Sequence, residues 1–77
     1  MLTEADVRAM LKETTKSAKP DAWPLDFNFL KEKALDSLDH VTFALLLKEK
    51  HGIDVGDEDL HKIVTIQGVL DYAAQYK

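Results

Sequence analysis

A chain of 77 residues has room for one compact domain and for a core of modest stability, which excludes an elaborate enclosed active site. Hydrophobic residues at 45% and charged residues at 31% exclude a disordered chain, and a net charge of -4 argues against nucleic acid or an anionic membrane as partner. With no cysteine there is no disulfide, thiolate nucleophile or cysteine-held metal, so any thiol chemistry requires an added group. The start MLTEADVRAM is charged early, and nowhere do about 18 apolar residues follow one another, so neither an export signal nor a membrane span is predicted.

From Thr3 to about Lys16, the residues Val7, Met10, Leu11 and Thr14 recur at helical spacing, behind a Thr3 that can cap the first turn with Asp6 three residues on. The segment from Ser17 to Leu35 holds Pro20, Trp23 and Pro24, and its Leu25, Phe27, Phe29 and Leu30 keep no sustained period. It reads as a long ordered loop with room for one turn of helix, its aromatics packing on the helices and Trp23 serving as an anchor. A second helix is predicted from Ser37 to Lys50, with Gly52 as a left-handed cap after it. Beyond the turn-rich GIDVGDEDL, Asp57 or Glu58 opens a short helical stretch holding Leu60 and Ile63. Thr65 then caps a last helix whose Ile66, Val69, Leu70 and Ala73 form one stripe, flanked by Tyr72 and Tyr76. No repeat, low-complexity tract or boundary divides residues 1–77. The expectation is one all-α domain: a small antiparallel four-helix bundle, three main helices and one short one, with a long first loop.

Chemistry concentrates in LDSLDHVTFALLL, residues 35–47, where Ser37 allows three readings. Asp36 or Ser37 caps the helix; or Ser37 is a nucleophile with His40 as the local base, although no oxyanion-hole motif is visible; or another enzyme esterifies the hydroxyl with phosphate. The third is electrostatically favourable, because a helix start offers unpaired N–H groups and the positive end of the dipole. At about 100° per residue, Phe43, Leu46 and Leu47 share one side of this helix while Leu38, Val41 and Leu45 share nearly the opposite one. Either the loop or a chain end covers the second stripe, or it is an exposed docking strip leading away from Ser37. DVGDED, from Asp54 to Asp59, lacks the alternating ligands and closing glutamate of a calcium loop, and His40, His51 and His61 form no metal-binding pattern.

DSLD at Asp36 to Asp39, the apolar-rich helix behind it and the later DEDLHKIVTIQGVLDYAAQ together resemble the acyl carrier protein family over nearly the whole chain. Asp-Ser-Leu alone is a weak signal, but at the start of the second helix in a chain of this length it is strong. The resemblance implies a carrier, not an enzyme. A phosphopantetheinyl transferase that uses magnesium would attach 4'-phosphopantetheine from coenzyme A to Ser37, with Asp36 supporting the transferase's metal. The arm's thiol would hold an acyl group as a thioester for acyl-loading and acyl-processing enzymes of fatty-acid, lipid or specialised acyl metabolism. By the same resemblance, Leu38, Asp39, Val41, Thr42 and Leu45 would meet those partners. Phe43, Leu46, Leu47, Ile63 and Val69 would line an acyl cavity, or else form ordinary core. A cytoplasmic monomer is expected. The alternatives are an aminoacyl or peptidyl carrier and an unmodified helical interaction module.

The chain departs from the family's pattern in places. Ala34 stands where the motif usually has glycine, and His51 where a core aromatic is usual. Fatty-acid carriers place glutamates where this helix has Thr42, Lys48 and Lys50, and only Glu49 is retained; Lys31 and Lys33 precede the motif. These changes imply a mixed or basic recognition face and a specialised carrier with dedicated partners.

Overall fold

The computed structural model describes residues 2–15 and 19–76. Helix α1 (Glu4–Thr14) begins with a reciprocal cap: Thr3 Oγ1 accepts from the Asp6 N–H at 3.2 Å, and the Asp6 carboxylate accepts from the Thr3 N–H at 3.0 Å. It ends at Thr14; Lys16 and Ser17, the expected boundary between helix and loop, lie outside the described residues. One 3-10 turn (Pro20–Ala22) follows, then α2 (Ser37–His51), a 3-10 helix (Asp57–Lys62) and α3 (Ile66–Gln75). Among the described residues there is no strand, and the fold is the all-helical bundle expected. The short helix is a 3-10 helix, and Ile63 follows it as the C-cap residue. Thr65 Oγ1 caps α3 by accepting from the Gly68 N–H at 2.8 Å.

The amphipathic face of α1 packs on both α2 and α3, bringing Val7, Met10 and Leu11 against Phe43, Leu47, Ile63, Ile66 and Val69. The long loop completes this core with Phe29 and Leu35. Phe29 meets Phe43 edge-on at 5.9 Å between ring centroids, and Trp23 stacks on it at 5.8 Å. The loop backbone is tied as well: the Phe29 N–H donates to the Val64 carbonyl at 3.0 Å, the Leu35 N–H to the Phe29 carbonyl at 2.8 Å, and the Gln67 N–H to the Leu25 carbonyl at 3.0 Å. Arg8, which carries no signal in the sequence, fastens the loop's first part to α1. Its guanidinium donates to the carbonyls of Pro20 and Trp23, the latter at 2.9 Å, and pairs with Glu4.

Two backbone positions have steric consequences. The turn before α2 places Lys33 in the left-handed region at φ 63, so the residue that would gain from glycine is Lys33 and not Ala34. Gly68 is needed for close approach: a Cβ there would lie 2.5 Å from the Lys62 carbonyl oxygen and 3.0 Å from Thr65 Oγ1. Its bare Cα lets α3 start directly against the end of the 3-10 helix. Those two elements are also joined by Tyr72, whose hydroxyl donates to Asp59 Oδ2 at 2.8 Å, with Lys62 pairing to the same carboxylate at 3.3 Å. The Tyr72 bond, then Lys62, holds the Asp59 carboxyl below its usual range, and the Asp59 bond pushes the Tyr72 phenol up to about 12.

In urea denaturation, Lys33→Gly should raise stability by about 0.5–1 kcal/mol, strain relief outweighing the added unfolded-state freedom, and Gly68→Ala should lower it by about 1–3 kcal/mol. The Tyr72–Asp59 tie should contribute above the ordinary carboxylate range and be lost as pH falls through the lowered Asp59 value; at the alkaline end it should be lost as pH rises through about 12. Tyr72→Phe should move the Asp59 titration, followed by NMR, upward toward its ordinary value.

Candidate functional site

Asp36, not Ser37, caps α2. Its backbone is extended, and its Oδ1 accepts from the Asp39 N–H at 2.8 Å. Ser37 is therefore the first residue inside the helix, exposed, and its hydroxyl makes no hydrogen bond among the described residues. The N–H groups of Ser37 and Leu38 belong to the first turn and have no intrahelical acceptor, so the hydroxyl stands beside free donors at the positive end of the dipole. Buried Leu35, two residues before Ser37, fixes where this helix start lies on the bundle.

His40 does not serve Ser37 as a base. It is only 4% exposed, its ring lies edge-on to Phe29 at 6.2 Å, and its Nε2–H donates to the Ile63 carbonyl at 3.0 Å. The buried stripe of α2 is thus His40, Phe43 and Leu47, with Leu46 half-buried beside it. The 3,4 spacing of those residues was the available signal, masked by the polar type of histidine.

The opposite stripe is uncovered: Leu38, Val41 and Leu45 are 75%, 44% and 54% exposed. Thr42 lies among them, exposed, its hydroxyl donating back to the Leu38 carbonyl at 3.1 Å, and Asp39 is half-buried at the Ser37 end. Alongside this stripe, a groove of about 150 Å³ separates α2 from the 3-10 helix, lined by Val41, Ala44, Leu45 and Lys48 on one side and Asp54, Val55, Asp57 and Leu60 on the other. Ala44 and Val55 were not legible as groove residues, since only the folded connector brings them together. Phe43, Leu47, Ile63 and Val69 are packed core, and none of them, nor Leu46, lines this groove. They are also absent from two larger open clefts, one between Lys62, Tyr72 and Tyr76, the other between Leu2, His51, Ile53 and Leu70.

The basic end of α2 is less free than its sequence implies. Lys50 pairs with Glu13 of α1 at 2.9 Å, and Lys48 reaches Asp54 at 4.0 Å, while His51 is exposed where a core aromatic was the family's pattern. Lys31 and Lys33 are exposed ahead of the motif. Among the described residues, no group of three or more His, Asp or Glu side chains is placed to hold a metal ion, DVGDED included. No described helix is long and apolar enough to cross a membrane.

No protein-family model matches the chain. An acyl carrier protein of Campylobacter hominis is 36% identical to it over 56 residues, which are 73% of this chain and 71% of that protein. With that likeness, a helical bundle and an exposed Asp-Ser-Leu at the start of α2, the chain belongs to the acyl carrier protein family, whose members are carriers and not enzymes.

Proposed function

We propose that this chain carries acyl groups as thioesters on a 4'-phosphopantetheine arm joined to Ser37, and presents them to acyl-loading and acyl-processing enzymes. The observation that carries this reading is the exposed Ser37 hydroxyl, left free because Asp36 supplies the cap. In the transferase, Ser37 Oγ forms a bond to phosphorus as the bond to the nucleotide half of coenzyme A breaks, and the hydroxyl proton is released. A phosphodiester at this oxygen suits the free Ser37 and Leu38 N–H groups and the dipole of a helix of 15 residues. The Asp36 carboxylate oxygen outside the cap bond is the one available to support the transferase's magnesium. When bound, the arm supplies the thiol that a cysteine-free chain lacks.

Leu38, Val41 and Leu45, with Asp39 at one end and Thr42 among them, form the face read by partners. Between Asp39 and Lys48 that stripe carries no charge, and Lys48 is shared with Asp54, so partners meet an apolar centre before they meet charge. This favours dedicated partners in fatty-acid, lipid or specialised acyl metabolism over enzymes that steer by charge alone. The protein acts as a monomer in the cytoplasm, the usual place of its family.

Incubation with coenzyme A, magnesium and a phosphopantetheinyl transferase should add one phosphopantetheinyl mass, located on Ser37 by fragmentation. Ser37→Ala should take none and keep its stability within about 0.5 kcal/mol, whereas Asp36→Ala should lose about 1 kcal/mol through the missing cap. An unchanged wild-type mass, or labelling of Ser37→Ala, overturns the reading.

A further inference from the structure

Among the described residues, His40 is the one polar side chain buried in the core, and carrier chemistry at Ser37 gives it nothing to do. It lies three residues from Ser37, on the side of α2 that faces away from Leu38 and Leu45. Its acceptor, the Ile63 carbonyl, belongs to the C-cap residue of the 3-10 helix, and the next carbonyl, that of Val64, accepts from the Phe29 N–H at 3.0 Å. Two successive carbonyls at the junction of the 3-10 helix and α3 are thus held by groups fixed around the start of α2.

The space open to a chain running from Ser37 along α2 is small, since the larger cleft at that junction, bordered by Lys62 and Gly68, includes no residue of α2. The groove between α2 and the 3-10 helix, about 150 Å³, equals about five water volumes. Phe43, Leu47 and Ile63 have no exposure and leave no route past them. An apolar chain on a Ser37-linked arm goes deeper only if Ile63 moves away from Phe43. That movement breaks the His40–Ile63 hydrogen bond and leaves an imidazole N–H and a carbonyl unpaired in a dry place, the costly way to lose a hydrogen bond.

We infer that His40 is a positioning residue whose hydrogen bond to Ile63 clamps the 3-10 helix against α2, so that this carrier leaves medium-length acyl chains outside its core, accessible to partners. The inference rests on the carrier reading. It concerns how far the chain is enclosed, not whether the arm is attached.

Wild type, His40→Gln and His40→Leu would each be loaded by a transferase with the butyryl or octanoyl arm from the matching acyl-coenzyme A, and the thioesters cleaved with hydroxylamine at constant pH. If no variant gains an arm, the carrier reading has failed and the clamp falls with it; loading of all three isolates the clamp. In the wild type, octanoyl should be released within about twofold of butyryl, since both thioesters stay in water. His40→Gln, whose amide N–H reaches the same carbonyl, should match it. His40→Leu should release octanoyl about fivefold more slowly than wild type, and the amides of residues 57–63 should exchange hydrogen about tenfold faster while those of α1 stay unchanged. His40→Thr, too short to reach Ile63, replaces His40→Leu if that variant does not fold. Equal octanoyl rates in wild type and the clamp-less variant overturn the inference, and so does a wild type that already shields octanoyl more than about fivefold relative to butyryl.

Discussion

The burial of Phe29 is the constraint from which the working end of the molecule follows. A fully buried phenylalanine side chain contributes about 1.5–3 kcal/mol, a large part of what a chain of this size has to spare. Here the ring is set between Trp23, His40 and Phe43, and the backbone on either side is bonded to Val64 and Leu35. The bond from Leu35 turns the chain back toward the core, and Leu35 is itself buried. Asp36 then has one place to begin a helix, and Ser37 follows it outward. The position of a hydroxyl on the surface is thus determined by an aromatic ring eight residues earlier in the chain.

The same packing sets the two faces of α2. His40 and Phe43 turn toward Phe29, and Leu47 continues that line against α1, so Leu38, Val41 and Leu45 are left outward with no element to cover them. The loop that could have covered them is committed elsewhere: Arg8 holds its first part on α1, and Gln67 holds Leu25 beside α3. An uncovered apolar strip costs solubility, and it persists here near the exposed Ser37 hydroxyl, the combination on which the proposed docking role rests. Lysines at the far end contribute less than their number suggests, because Lys50 is spent on Glu13.

What the sequence made legible was local. Thr3, Thr65 and Gly52 act within one turn of where they stand, and the apolar spacing of α1 and α3 decides their buried faces without reference to the rest of the chain. The Asp-Ser-Leu motif and its place at a helix start were legible for the same reason, though which of Asp36 and Ser37 caps depends on one backbone angle that composition does not carry. His40 went unread as part of the buried stripe because of its residue type: an imidazole is buried at no great cost once a carbonyl 23 residues away accepts a hydrogen bond from its N–H, and that partner exists only in the fold. Arg8, the left-handed Lys33 and the pairing of Lys50 with Glu13 were hidden likewise, each being a consequence of tertiary position.

These ties are unevenly distributed, and the unevenness bears on function. Helix α1 packs on both long helices and anchors the loop, so none of those elements moves alone. The 3-10 helix is held differently: it contributes no fully buried side chain, it packs chiefly on α3, and its polar tie to Tyr72 and its own Asp59–Lys62 pair lie at or near solvent. Segments with few buried apolar contacts and solvent-accessible hydrogen bonds open at low free energy. This helix forms one wall of the groove that begins at Val41, one turn along α2 from Ser37, and the buried bond that restrains its end comes from the same helix that begins with Ser37. A carrier must offer its cargo to several enzymes in turn. On the carrier reading, the His40–Ile63 bond holds in place a segment that its other contacts leave easy to open, beside the exposed face of Leu38, Val41 and Leu45 proposed for docking.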